Sequence, residues 1–194
     1  MNPMVEKIVN ASIEILKRGG IDGLSMRAIA KEVELRVSSL YNHVPRKKDI
    51  YHLISEYICQ NISYPDAIND PRSYIIELNR SFRRELLKIK HSALIFCELV
   101  PNTPKHLELY HKNMEALSAL GVDKARSFSC ATIIKNYVMS SVWDEEYFRA
   151  ISRSINPAEK GELFYRSQLA GINYDRNFMY GLEAILDGLL KDGS

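Results

Sequence analysis

Apolar residues recur along nearly the whole chain at spacings of three and four, and no stretch alternates as a half-buried strand does. The first clear case is residues 3–17, where the apolar positions fall on one face of a helix. We expect Gly19 and Gly20 to end this helix, because glycine tolerates the left-handed conformation of a C-terminal cap. The pattern therefore predicts an all-α protein of about ten helices.

Capping residues and prolines place the remaining helices. Ser25 is a favourable N-cap for a short second helix, and Pro45 interrupts the chain after the third. Asn156 followed by Pro157 and Glu159 is typical of another helix start. The helices predicted after the first cover about 25–33, 36–42, 46–62, 72–90, 92–99, 104–120, 123–150, 157–171 and 174–191.

The second and third predicted helices are short and are joined by a tight turn, which is typical of a helix-turn-helix motif. Such a pair needs apolar side chains to fix a steep angle, so that the second helix points outward and can enter a major groove. The residues expected to do this are Ala28, Ile29, Val33, Leu35 and Leu40. The sequence therefore predicts a DNA-binding domain over residues 1–46 and a helical body over residues 47–194.

The outward side chains of the third helix are short or form hydrogen bonds, which suits a helix lying against base edges and phosphates. Arg36 and Val37 lie at its start, nearest the bases, whereas Tyr41 and His43 are better placed for phosphates. Lys47 begins the next helix, where an ammonium group and unsatisfied backbone N–H groups both favour a phosphate. The candidate DNA contacts are Ser25, Arg27, Arg36, Val37, Ser38, Ser39, Tyr41, Asn42, His43 and Lys47. Short amphipathic helix pairs with basic flanks also occur in unrelated proteins, so this pattern alone leaves both interpretations open.

Charge adds modest support for a nucleic-acid partner. The whole chain has a net charge of only +2. Residues 1–52 nevertheless hold nine Lys and Arg against six acidic residues, a net charge of +3 that leaves −1 for the remainder. The excess of positive charge coincides with the helix-turn-helix motif.

Other chemistries receive little support. Cys59, Cys97 and Cys130 lie in apolar stretches without disulfide or zinc spacing, so buried free thiols are expected. His106 and His111 are five residues apart and miss the i, i+4 spacing of a shared metal site on a helix. Without a phosphate loop or a nucleophile elbow, we expect no cofactor, no metal and no enzymatic activity. The chain has no signal-peptide pattern and no apolar run of about 18 residues, which predicts a cytoplasmic protein.

Residues 8–54 resemble the N-terminal domain of TetR-type repressors. The matching segments are residues 24–27 (Leu-Ser-Met-Arg), residues 39–44 (Ser-Leu-Tyr-Asn-His-Val) and Lys47. One position departs from the pattern, since the family often has glycine in the turn where this chain has Glu34. We expect either a strained backbone or a reshaped turn at that position.

The body resembles, more weakly, the C-terminal domain of the tetracycline repressors. The resemblance lies in residues 81–83 (Ser-Phe-Arg), Pro101 and residues 178–189. It implies an all-helical homodimer in which helices near 123–147 and 174–190 form the interface. The apolar stripes expected there are Ala131, Ile134, Val138 and Val142 on the first helix, and Tyr180, Ala184, Ile185 and Leu189 on the second. The alternative for either stripe is packing within its own chain.

The same resemblance implies an effector pocket in the body. By rough matching its lining is Leu78, Phe82, Phe96, Leu99, Val100, Pro101 and Ile134. Phe96, Leu99 and Val100 replace chelating and hydrogen-bonding side chains, and a Mg²⁺–tetracycline complex would lose the oxygen ligands that Mg²⁺ requires. A more apolar effector is therefore expected. The alternative is a filled core without a ligand, because apolar stripes are more often core than pocket.

Together these features predict a transcriptional repressor that binds a palindromic operator as a homodimer and is released by a small, fairly apolar effector. The alternative is a helix-turn-helix regulator that binds no small molecule and acts through a protein partner.

Overall fold

A computed structural model describes residues 2–65, 70–154 and 171–191, and in these ranges the chain forms nine α-helices and no strand. This confirms the all-α prediction. The helix predicted at 157–171 lies outside the described residues. The helices are α1 (Pro3–Gly23), α2 (Met26–Glu32), α3 (Val37–His43), α4 (Lys47–Gln60), α5 (Pro71–Leu87), α6 (Ser92–Cys97), α7 (Pro104–Ala119), α8 (Lys124–Ser154) and α9 (Tyr174–Lys191).

Helix α1 consists of two helical segments. It continues past Gly19 to Gly23, with a kink at Gly20, where φ is 64° and ψ is −163°. The first helical segment therefore ends at these glycines, as predicted, and a short second segment covers residues 21–23 beyond the non-helical Gly20. The last turn of α1, after this kink, leads through Leu24 into Ser25, the N-cap of α2.

The chain divides into two compact units, and the first comprises Met1–Tyr64 and Ser81–Lys112. In this unit α1 packs against α2 and α4, α2 packs against α3, and α4 packs against α6. The side chains at these contacts are fully buried, as the sequence periodicity requires. They include Ile8, Leu16, Ile29, Leu40 and Ile54.

The second unit comprises Pro65–Arg80 and Asn113–Ser194, and in its described part α8 packs against α9. The Tyr137 ring of α8 stacks on the Phe178 ring of α9 at 5.6 Å between centroids. The Tyr137 hydroxyl donates to the carbonyl oxygens of Asn177 at 3.2 Å and Phe178 at 3.0 Å. Leu182 and Leu186 complete the apolar face of α9.

The structure corrects the stripe predicted to face a second subunit on α8. Ala131 is only 3% exposed, and Ile134, Val138 and Val142 are fully buried within their own chain. The alternative, packing within the chain, therefore holds for this stripe. The exposed apolar side chains of α8 are instead Phe128, Ile133, Trp143 and Tyr147.

The expectation of three buried thiols was wrong at one position. Cys59 and Cys130 are buried, and burial raises the pKa of the Cys59 thiol, but Cys97 is exposed. Helix α6 is only six residues long and ends at Cys97, so this side chain lies where the helix meets solvent. None of the described helices is long and apolar enough to span a membrane.

The turn between α2 and α3 contains a strained residue, one of the two outcomes expected at Glu34. Glu34 has φ 59°, in the left-handed region. The Leu35 N–H donates to the Ala30 carbonyl at 2.8 Å, and the Glu34 N–H donates to the Lys31 carbonyl at 3.3 Å. This is the Schellman arrangement that usually carries glycine. A non-glycine residue there costs about 1–2 kcal/mol.

We expect Glu34→Gly to raise the free energy of unfolding by about 0.5–1 kcal/mol, because relief of backbone strain exceeds the added entropy of the unfolded chain. Glu34→Gln is the matched control, since it removes the charge and keeps the strain. Its stability should remain within about 0.5 kcal/mol of the original. Urea unfolding measures all three chains. A gain in Glu34→Gln equal to that in Glu34→Gly would attribute the effect to charge and contradict the strain.

Candidate nucleic-acid interface

Helix α3 is fixed to the protein by one side and exposes the other. Leu40 is fully buried beneath it, and Val44 directly after it is 1% exposed. Of the residues predicted to fix the motif, Ile29, Val33 and Leu40 are buried, whereas Ala28 and Leu35 are half-buried. The predicted contact residues Arg36, Ser38, Tyr41, Asn42 and His43 are exposed, and Val37 and Ser39 are half-buried. A helix seated in this way presents a polar face to a partner.

The start of α2 supplies two further predicted contacts. The Ser25 Oγ caps the helix by accepting a hydrogen bond from the Ala28 N–H at 3.1 Å. Its O–H remains a donor, so capping and a phosphate contact are compatible. Arg27, in the first turn, is exposed. Ser25 thus both starts the helix and lies at its exposed end.

The start of α4 combines a cation with an uncapped helix end. Arg46 binds both oxygens of Asp49, at 2.9 and 3.2 Å, and its hydrogen bond lowers the pKa of the Asp49 carboxyl. The N-cap Arg46 supplies no side-chain cap, and although the Asp49 N–H donates to the Arg46 carbonyl at 3.0 Å, the N–H groups of Lys47 and Lys48 are available to an anion. Lys47 is exposed, and its Nζ lies 5.6 Å from the centre of the Tyr51 ring. Lys48 beside it is also exposed and was not among the predicted contacts, although the basic run 46–48 could have indicated it.

The cations of this region fall into two groups. Lys17, Arg18 and Arg46 form ion pairs with Glu14, Glu32 and Asp49. Within the described part of the chain, the predicted contacts Arg27, Arg36 and Lys47 form no ion pair. Their charge is therefore available to an external anion. They lie on or next to α2, α3 and α4 of the same unit.

The predicted effector-pocket residues are mostly buried. Phe82 and Phe96, both in the first unit, meet edge to face at 5.3 Å between ring centroids. Leu99 is buried and Pro101 half-buried, but Val100 is 76% exposed and turns towards solvent. Leu78 and Ile134 belong to the second unit, and both are fully buried there.

One aromatic neighbour of these residues was missed. His106 is 1% exposed, and its ring lies 5.0 Å from the Phe96 ring and 6.0 Å from the Tyr110 ring. Sequence reasoning considered His106 only as a partner of His111 for a metal, and His111 is exposed. The spacing of His106 and Tyr110, four residues apart on α7, could have indicated the cluster.

The comparisons with known proteins match both parts of the chain. Residues 8–54 match the family described as bacterial regulatory proteins, tetR family. Residues 69–192 match the tetracyclin repressor-like C-terminal domain. Together these two matches cover most of the sequence, and the first includes every predicted DNA-contacting residue.

Two individual relatives are also transcriptional regulators. An HTH-type transcriptional regulator of Saccharopolyspora erythraea is 30% identical over 145 residues, which are 74% of this chain and 61% of that protein. The class A tetracycline repressor from transposon 1721 of Escherichia coli is 24% identical over 198 residues, covering 95% of this chain and 89% of the repressor.

Among solved structures, Streptomyces coelicolor ActR in complex with actinorhodin superposes with a TM-score of 0.78 at 23% identity. The match covers 100% of this chain and 99% of that one. At this identity the structure establishes the shared fold. With both domain matches covering most of its length, the chain belongs to the TetR family of bacterial transcriptional regulators.

Proposed function

We propose that the protein represses transcription in the cytoplasm by occupying a palindromic operator as a homodimer, and that a small, fairly apolar effector releases it. The observation that carries the proposal is the exposed face of α3, flanked by Arg27, Arg36 and Lys47, which have no ion-pair partner in the described part of the chain. An exposed polar helix edged by available cations fits a DNA major groove bordered by phosphates. In this proposal residues 1–46 read the DNA, and residues 47–194 dimerise and bind the effector.

The contacts divide by role. Arg36 and Val37 at the start of α3 are proposed to reach base edges, where arginine pairs with guanine and valine contacts a thymine methyl group. Ser25, Arg27, Ser38, Ser39, Tyr41, Asn42, His43 and Lys47 are proposed to contact phosphates or neighbouring bases. The uncapped first turn of α4 supports the role of Lys47, because its N–H groups and the ammonium favour the same phosphate.

Mobility shifts on the DNA upstream of the protein's own gene, and on a scrambled fragment of equal length, test these roles. We expect Lys47→Ala to weaken binding to both fragments alike. It should also reduce the slope of log affinity against log salt concentration by about one per subunit. Arg36→Ala should reduce the preference for the upstream fragment, at a cost of about 1–3 kcal/mol. Lys124→Ala, at an exposed cation at the start of α8, is the control and should change neither quantity. If the unaltered protein shows no salt-sensitive, sequence-preferring binding up to micromolar concentration, the proposed function is wrong.

The proposed dimer face is the exposed side of α8 and α9. Ile133, Trp143 and Tyr147 are 45, 38 and 49% exposed, and Tyr180 of α9 is 77% exposed. The Trp143 and Tyr147 rings stack at 6.0 Å, which makes a flat aromatic surface. Exposed aromatic side chains grouped on one helix are typical of a protein interface. A two-fold dimer would present two copies of α3 about one helical turn of DNA apart, roughly 34–36 Å.

We expect Ile133→Asp combined with Tyr180→Asp to convert the dimer to monomers, because the carboxylates would be desolvated at the interface. Leu107→Asp is the control, since Leu107 is also partly exposed, at 38%, but lies on α7. Sedimentation velocity measures the mass of each species. A double variant that still sediments as a dimer, while the control behaves identically, would place the interface elsewhere.

The effector proposal rests on the aromatic and aliphatic character of the expected lining. Phe82, Phe96 and Leu99 offer no oxygen ligand for Mg²⁺ and do not suit a metal chelate such as Mg²⁺–tetracycline. The related structure of ActR with actinorhodin supports a small molecule as the effector class. Release from DNA requires that the effector bind the DNA-incompetent state more tightly, by about 5.5 kcal/mol for a nearly complete switch.

A thermal-shift screen of small apolar compounds tests this, with Mg²⁺–tetracycline as a reference. An effector at 100 times its dissociation constant should stabilise the protein by about 2.7 kcal/mol, a rise in melting temperature of roughly 5–10 °C. Phe96→Leu should reduce the shift for a true hit, and Leu107→Ala should not. A rise with Mg²⁺–tetracycline would contradict the apolar pocket, and a screen without hits would favour the regulator that acts through a protein partner.

A further inference from the structure

His91 joins α6 to the end of α1. Its imidazole Nδ1 accepts a hydrogen bond from the Ile21 N–H at 3.0 Å, across 70 residues of sequence. The ring lies so close to Gly20 that a Cβ atom there would be 2.7 Å from His91 Cε1 and 2.8 Å from Nδ1. Only glycine at position 20 allows this approach, and it is also the residue that permits the kink. The hydrogen bond therefore depends on glycine at position 20 as well as on His91.

The backbone of His91 is itself unusual. His91 is the N-cap of α6 with φ 62°, in the left-handed region, and its side chain makes no capping hydrogen bond. The imidazole is directed to Ile21 instead. Residues held with left-handed backbones cost of order 1–3 kcal/mol and concentrate where a structure has a functional constraint. His91 is such a residue, whereas Gly20, on the other side of the same hydrogen bond, adopts its positive φ without this cost.

The position of this contact links it to the DNA-binding face. Ile21 lies four residues before Ser25, the N-cap of α2, and the chain between them is the last turn of α1. The direction of that turn sets where α2 begins and hence where Ser25 and Arg27 lie. On the other side, His91 opens α6, which packs against α4 in the same unit.

We propose that His91 is a positioning residue of the DNA-binding head, residues 1–46. Its neutral imidazole holds the last turn of α1 in place, and protonation releases that turn and weakens operator binding. This inference rests on the DNA-binding function proposed above. It adds a pH-dependent control of the head that involves neither the effector nor a direct DNA contact.

The chemistry of the contact requires the neutral ring. An imidazole that accepts at Nδ1 carries its proton at Nε2, whereas an imidazolium carries protons on both nitrogens and would oppose N–H to N–H. Burial lowers the pKa of His91, Lys90 lowers it further, and Asp22 at the end of α1 opposes the shift. Because the folded-state pKa lies below the ordinary value near 6.5, the contact is complete above that pH and is lost as the pH falls through the lowered value.

Two substitutions separate the hydrogen bond from the backbone strain. Asparagine tolerates the left-handed region and offers an acceptor that does not titrate near neutral pH, whereas glycine tolerates the region and offers none. At pH 7.5 His91→Asn should bind the upstream DNA as the unaltered protein does. His91→Gly should bind it roughly three- to tenfold more weakly, the loss expected for one hydrogen bond.

The pH profile provides the readout that a purely structural role would not change. As the pH falls from 7.5 through the lowered pKa of His91, the unaltered protein should lose affinity relative to His91→Asn, since only the former titrates at position 91. All other histidines are present in both proteins, so they contribute equally to both profiles. His111→Asn, at an exposed position on α7, is the control and should follow the unaltered protein.

Amide hydrogen exchange in the DNA-free protein at pH 7.5 reports the contact directly. The Ile21 amide should be protected in the unaltered protein and in His91→Asn, and should exchange faster in His91→Gly. If His91→Gly keeps this protection, or keeps the affinity and pH profile of the unaltered protein, the positioning role is overturned and the proposed function stands. If the unaltered protein shows no preference for the upstream fragment over the scrambled one, the proposed function fails and this inference fails with it.

Discussion

The burial of the inner face of two seven-residue helices is the constraint on which the rest of the structure depends. Isolated helices of this length are not stable in water, so α2 and α3 exist because their apolar side chains pack on a larger framework. Ile29 and Leu40 are fully buried, and α2 packs against α1. Because Leu40 is committed to that packing, the polar side chains of α3 are left on the outer face. The feature that stabilises α3 is thus also the feature that makes it a candidate reading helix.

The head must also be held to the remainder of its own unit. Helix α4 provides the covalent continuation, and it contacts α6 and the start of α7. The Lys105 N–H, in the first turn of α7, donates to Glu56 of α4 at 2.9 Å, and the His91 ring holds Ile21 at the end of α1. Both contacts use side chains to satisfy backbone N–H groups near helix ends or kinks, which leaves few ways for the head to shift without losing hydrogen bonds. Changes in α4, α6 or α7 therefore have a physical route to the DNA-binding face.

The sequence predicted the helices well because each buries one face of a 3.6-residue period, and it predicted the exposed residues of α3 for the same reason. It failed where local pattern does not determine the outcome. The glycines at positions 19 and 20 predicted the end of the first helical segment, but not the short segment after it or the approach of His91 from a distant part of the chain. The stripe on α8 from Ala131 to Val142 has the same periodicity whether it faces its own chain or a second subunit. The contact between His91 and Ile21 left no local signal, because it joins residues 70 positions apart.

Hydroxyl-radical footprinting of the unaltered protein on the DNA upstream of its own gene tests the central claim most directly, that α3 reads an operator. If two copies of α3 enter successive major grooves, two protected tracts should appear on one face of the duplex, separated by about one helical turn or a multiple of it. Both tracts should weaken together as salt increases. A fragment without protection at protein concentrations that shift its mobility, or with uniform protection along its length, would contradict the account.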